Sequence, residues 1–117
     1  MRNIFSVLAI ITTLGSYDAY AAECIPEVAS VCVLSGCERA QSTITIYTDV
    51  SNKIVNRCDS NGCDAITVDI RQSGAMQKMT NPNSDYLLVI NTISLTFTEI
   101  ATASTTAFVK SGICSDL

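Results

Sequence analysis

Two short turns, each bracketed by a pair of cysteines, restrict this chain more than any other feature. One is Arg57-Cys58-Asp59-Ser60-Asn61-Gly62-Cys63-Asp64, and Val31-Cys32-Val33-Leu34-Ser35-Gly36-Cys37-Glu38 repeats its plan 26 positions upstream. Both read Cys-x-x-x-Gly-Cys followed by an acid. Asn61-Gly62 is a strong hairpin signal, because both residues tolerate the positive φ of a type I′ turn. A two-residue Asn61-Gly62 loop would set Asp59 against Asp64, an unfavourable like-charge pair, and leave each cysteine without its partner. A four-residue loop, Asp59 to Gly62, instead places Cys58 opposite Cys63 at about 4.5–5.5 Å between Cβ atoms, near the range a disulfide needs. Gly62 supplies the left-handed residue, and Asp59 caps the turn through the backbone. The same register is expected for Cys32 and Cys37.

The rival reading of these cysteines is a metal. Cys32, Cys37, Cys58 and Cys63 fall within the loose spacing of a four-thiolate zinc module, although the tighter Cys-x2-Cys knuckle is absent. Asp59-x-Asn61 begins like a calcium loop, but Ile70 stands where the bidentate glutamate belongs. The compartment favours disulfides. Residues 1–22 read as an export signal: Arg2, an apolar run from Ile4 to Leu14, and an Ala19-Tyr20-Ala21 cleavage site. That run is too short for a bilayer span, and Glu23 before Cys24 argues against lipidation. The domain is then residues 23–117, with six basic and ten acidic side chains and all six cysteines. The acidic balance argues against nucleic acid, and a monomer without a cofactor is expected.

Six cysteines allow many connectivities. If the two turn pairs close locally, Cys24 and Cys114 remain for each other and join the ends of the domain. Chain-entropy estimates give about 2 kcal/mol for each six-residue loop and about 4.6 kcal/mol for a loop of about 90 residues. The terminal bridge would then decide folding and the turn bridges would fix register, which a one-residue slip would invert.

The rest reads as short strands: 28–33, 43–48 with Ile44 and Ile46 on one face, 54–58, 63–71 with Ile66, Val68 and Ile70, a weak 75–79, an apolar 86–90, 92–100 through Ile93, Leu95 and Phe97, and 106–114. Residues 50–53, 80–85 and 101–105 read as turns or loops. No sustained helical period appears. About eight strands imply an all-β antiparallel meander, closed as a small barrel or folded as a sandwich.

Cys24-x7-Cys32-x4-Cys37, then Arg57-Cys58-Asp59-x-x-Gly62-Cys63-Asp64, Ser73-Gly74, Thr98-Glu99-Ile100 and Gly112-x-Cys114 together resemble a family of small exported bacterial proteins of unknown function built around an RCD-x-x-GCD turn. The resemblance covers nearly the whole domain and departs from the pattern between Lys78 and Leu95. It implies an exported, cysteine-bridged β domain and no particular activity.

The chain has no histidine, so imidazole general-base catalysis and histidine metal sites are absent. No glycine-rich phosphate loop is present. Asp59 and Asp64 are close enough to suggest a paired-acid mechanism, but they read better as solvated turn acids. Phe97 and Phe108 read as core. Glu99 shares strand parity with Ile93, Leu95 and Phe97 and so points inward unless the strand bulges. Inward, it would need Arg57 or Arg71 as a partner, or would hold its proton, and would serve as a ligand-binding anchor at a barrel mouth. The rarity of fully buried carboxylates favours the opposite outcome, in which the strand ends or bulges and Glu99 reaches solvent.

The chain therefore reads as an exported, periplasmic or extracellular, non-enzymatic β domain that binds a small molecule or protein or serves the envelope. An inhibitor or interaction domain presenting the 80–85 loop or a stapled turn is the alternative. A carboxylate-only enzyme comes third. An enclosed cavity beside Glu99 would favour the small-ligand module, and a filled core with an exposed apolar patch the interaction domain.

Overall fold

Residues 22–116 are described by the structure, a computed structural model. Apart from Ala22, the expected export signal lies outside these residues. Ten antiparallel strands follow in chain order: β1 Ala22–Val33, β2 Gly36–Ala40, β3 Thr45–Asp49, β4 Ile54–Asp59, β5 Gly62–Thr67, β6 Asp69–Ser73, β7 Met76–Asn81, β8 Tyr86–Asn91, β9 Thr96–Ala103 and β10 Thr106–Asp116. They form one sheet in the order β5-β4-β3-β1-β10-β9-β8-β7-β6, with β2 added beside β1. The outermost strands β5 and β6 are consecutive, joined at Val68, so the sheet curls until its two edges nearly meet. Where β5 passes into β6, the Asn81 side-chain amide of β7 donates to the Thr67 carbonyl (2.8 Å), while the Val68 N–H bond to the Lys53 carbonyl (2.9 Å) extends the β4–β5 ladder by one residue. The result is a nearly closed barrel.

The connectivity is more than a simple meander. Long β1 lies between the meanders β3-β4-β5 and β6-to-β10. Its first residues, Ala22 to Cys24, pair with β3, and Ala29 to Val33 pair with β2. Its other edge pairs with β10 along most of its length. The register shifts between Pro26 and Val28, a bulge that bends β1. Gly112 lies opposite Pro26, and a Cβ there would strike the backbone of Ile25, Pro26 and Glu27. Only glycine fits this crossing.

Ten strands replace the expected eight for two reasons. The chain after Cys37 pairs back onto β1 as β2, a strand so exposed that it shows no alternation. The single strand expected over 63–71 is broken at Val68 into β5 and β6. The 92–100 strand begins only at Thr96: Leu95 has a φ of 60° and Ile93, 82% exposed, sits in the turn.

Alternation nevertheless fills the barrel. Cys24, Ile46, Val55, Met79, Leu88, Ile90, Phe97 and Cys114 form the buried core. Tight turns follow strands that end in Asp or Asn, whose side chains accept backbone N–H groups: Asn52 to Asp49, Asn61 to Asp59, Asn83 to Asn81, and Ile93 and Ser94 to Asn91.

All six cysteines are paired: Cys24–Cys114, Cys32–Cys37 and Cys58–Cys63. Each bridge joins residues directly opposite in an antiparallel ladder. The register is that of the four-residue loop, although its ends are drawn tighter, since Asp59 also pairs with Gly62 across a two-residue Ser60-Asn61 turn. Gly62 has a φ of 132°, a conformation other residues rarely adopt. The zinc reading is overturned, because its four sulfurs are consumed in disulfides. Three disulfides fit an oxidising compartment. Among the described residues no helix is long and apolar enough to cross a membrane.

Candidate functional site at the barrel mouth

Strand parity builds the site. On β9, Phe97 and Glu99 point the same way, into the barrel, and Glu99 is 1% exposed. This corrects the reading that sends Glu99 to solvent: β9 neither bulges nor ends there but continues in register with β8 and β10 to Ala101 and beyond. The partner is Arg57, brought to the opposite wall by β4. Its Nε donates to Glu99 Oε2 at 2.8 Å and its Nη2 to Oε1 at 3.2 Å, a two-pronged contact. Arg71, the other candidate, is exposed on β6.

Two further groups complete the cluster. The Tyr86 hydroxyl, from β8, donates to Glu99 Oε2 at 2.5 Å. Lys110 stands opposite Glu99 on β10, with Nζ 3.8 Å from Oε1. That distance pairs the charges but exceeds a hydrogen bond. The ammonium also sits 5.8 Å from the centre of the Phe108 ring.

Burial, the charge of Glu99 and the hydrogen bond to it all hold the Tyr86 phenol above its ordinary pKa, so it stays neutral. Burial and then the repulsion of Arg57 pull the Lys110 amine below its ordinary range, against the attraction of Glu99. For Arg57 burial opposes the charged form, but the hydrogen bonds and charge of Glu99 outweigh it. Two cations thus share one buried carboxylate. Asp64, opposite Arg57 on β5, is exposed and adds some attraction to it.

Beside the cations lies an open cavity of about 360 Å³, lined by Ile44, Ala101, Thr102, Ala103 and Phe108 together with Arg57 and Lys110. Phe108, expected in the core, is instead 37% exposed at the rim, because β10 extends past the barrel there. Glu99 itself is covered by its three partners. The groups presented to a visitor are therefore the Lys110 ammonium and the outer edge of the Arg57 guanidinium, set among apolar walls.

Lys110 and Tyr86 escaped the sequence reading. Lys110 shares the parity of Phe108 and Cys114 and is the one charge in the expected strand 106–114, and that was the available signal. Tyr86 lies in a continuous apolar run that hides which face it takes. The paired-acid idea finds no support here: Asp59 and Asp64 are exposed, and Asp59 is occupied with the Asn61 N–H. Among the described residues no cluster of three side chains suited to a metal ion occurs. Comparison of the chain with protein-family models, with curated proteins and with solved structures gives no match.

Proposed function

We propose that this is an exported, non-enzymatic binding module whose barrel mouth takes a small anionic molecule with an apolar body. The observation that carries the reading is the charge arrangement: Arg57 and Lys110 share one carboxylate and both line a mostly apolar cavity. An anion entering there meets two cations that share one buried carboxylate, the exposed Asp64 acting on Arg57 alone, in a partly desolvated setting where such contacts are strong. The cavity lies near the lower end of small-molecule sites, which suits a ligand of about ten heavy atoms. Export rests on the signal features of residues 1–22 and on the three disulfides.

Calorimetric titration with octanoate, octanol and octylamine tests this. Octanoate is expected to bind and the other two to bind at least about tenfold more weakly. Lys110→Met should weaken octanoate by about tenfold or more, the worth of one charge-assisted hydrogen bond. Equal binding of the three probes, or an unaffected Lys110→Met variant, removes the reading.

A second reading draws on the outer face, where Ile25 and Ile113, directly opposite on β1 and β10, are both half exposed beside Val28. With a buried apolar core inside the barrel, this patch favours a protein-interaction role. The charge pattern at the mouth favours the small ligand more specifically.

A further inference from the structure

Beyond the barrel rim, the second half of β1, the start of β10, the end of β9 and β2 continue as an apron. β3 pairs with β1 only at Ala22 to Cys24, so no barrel strand covers this extension. The register sets Val31 opposite Phe108 and Phe108 opposite Ala101. All three share a face with Lys110, two residues further along β10. Val33 continues that face, and Leu34 at the hairpin tip is 90% exposed. The Cys32–Cys37 bridge lies on the other face and stiffens the hairpin. From Lys110 to the tip is four to five residues, about 14–17 Å of strand. Glu38, opposite Val31, is exposed at the outer margin of this track.

We infer that the ligand of the mouth is a free single-chain acyl carboxylate, its head on Arg57 and Lys110 and its chain along Phe108, Val31, Val33 and Leu34. This rests on the mouth reading above and adds a direction and a length to it. Charge complementarity fixes the head. Phe108, Val31 and Val33 follow one another along this face from the cations toward the hairpin tip at Leu34, which gives the chain its track. A track of that length suits a chain of about twelve carbons, and each methylene laid on it gains up to about fourfold in affinity.

Carboxylates of six, eight, ten and twelve carbons, each below its micelle concentration, are titrated into the oxidised wild type and into a Val33→Ser/Leu34→Ser variant. Affinity is expected to climb about two- to fourfold per methylene to twelve carbons in the wild type. In the variant the climb should stop near eight carbons, with octanoate itself unchanged. Octanoate binding without a climb, or a climb that survives in the variant, overturns the acyl track but leaves the mouth site standing. No binding at any length overturns both. Binding to vesicles containing anionic phospholipid, but not to monomeric dodecanoate, overturns the free-ligand assignment.

Discussion

A Cys24→Ala/Cys114→Ala variant is expected to lose about 4.6 kcal/mol of stability, enough to unfold much of a domain whose total is about 5–15 kcal/mol. The bridge spans a sequence separation of 90 residues, whereas Cys32–Cys37 and Cys58–Cys63 each span five. Closing a longer loop removes more disorder from the unfolded chain, so the shorter bridges are worth about 2 kcal/mol each. Position adds to the effect. Cys24 and Cys114 are buried between Ile46 on β3 and the rest of the core, on the β1–β10 seam that holds the two meanders together. Guanidinium chloride titrations of the three double-alanine variants check the ranking. Equal losses from all three would mean that loop length does not govern this fold.

Glu99→Gln is the second large effect. The substitution keeps the shape of the side chain but leaves Arg57 and Lys110 facing each other without the charge that joins them. Removing one member of a buried ion pair costs about 3–5 kcal/mol, because the stranded partner stays desolvated. At about 4–8 °C per kcal/mol, the melting temperature should fall by at least about 12 °C. Lys110→Met in the Glu99→Gln background removes one of the stranded cations and should restore part of the loss. A Glu99→Gln protein that melts with the wild type would show that the cluster carries no net interaction.

The same cluster leaves a pH signature. The folded Lys110 amine titrates below its unfolded value, so between the two the unfolded chain holds more protons. Stability contributed at this site therefore rises with pH through that window, toward the ordinary lysine value, and the rise is absent from Lys110→Met. Tyr86 works in the opposite direction: its folded pKa is raised, so its contribution is lost as pH climbs past the ordinary tyrosine range. Subtracting the profile of Lys110→Met from that of the wild type separates the two.

Much of this architecture is written locally. The stapled turns, the Asx cap at Asp59, and the inward parity of Ile46 and Phe97 follow from short patterns, since a strand has a period of two and a hairpin closes over a few residues. Glu99 was legible by the same parity, and the rarity of buried carboxylates argued wrongly against it. The rarity reflects unpaired carboxylates, and Arg57, 42 residues away in sequence, supplies a partner that no local pattern can announce. Long-range placement is where the sequence falls silent. Nothing in Gly36–Ala40 marks it as a strand, because it rides on β1 with both faces in water. The seating of β1 between two meanders depends on the crossing at Gly112, which only the assembled backbone reveals.

On the proposed function, Arg57 and Lys110 at the barrel mouth are where an anion binds. Following the Lys110 Nζ and Arg57 Nε resonances by NMR while octanoate is added tests it most directly. Saturable shifts are expected at both nitrogens, with Ile25 and Ile113 on the outer face unmoved. Shifts confined to the outer face, with the two cations silent, would contradict it.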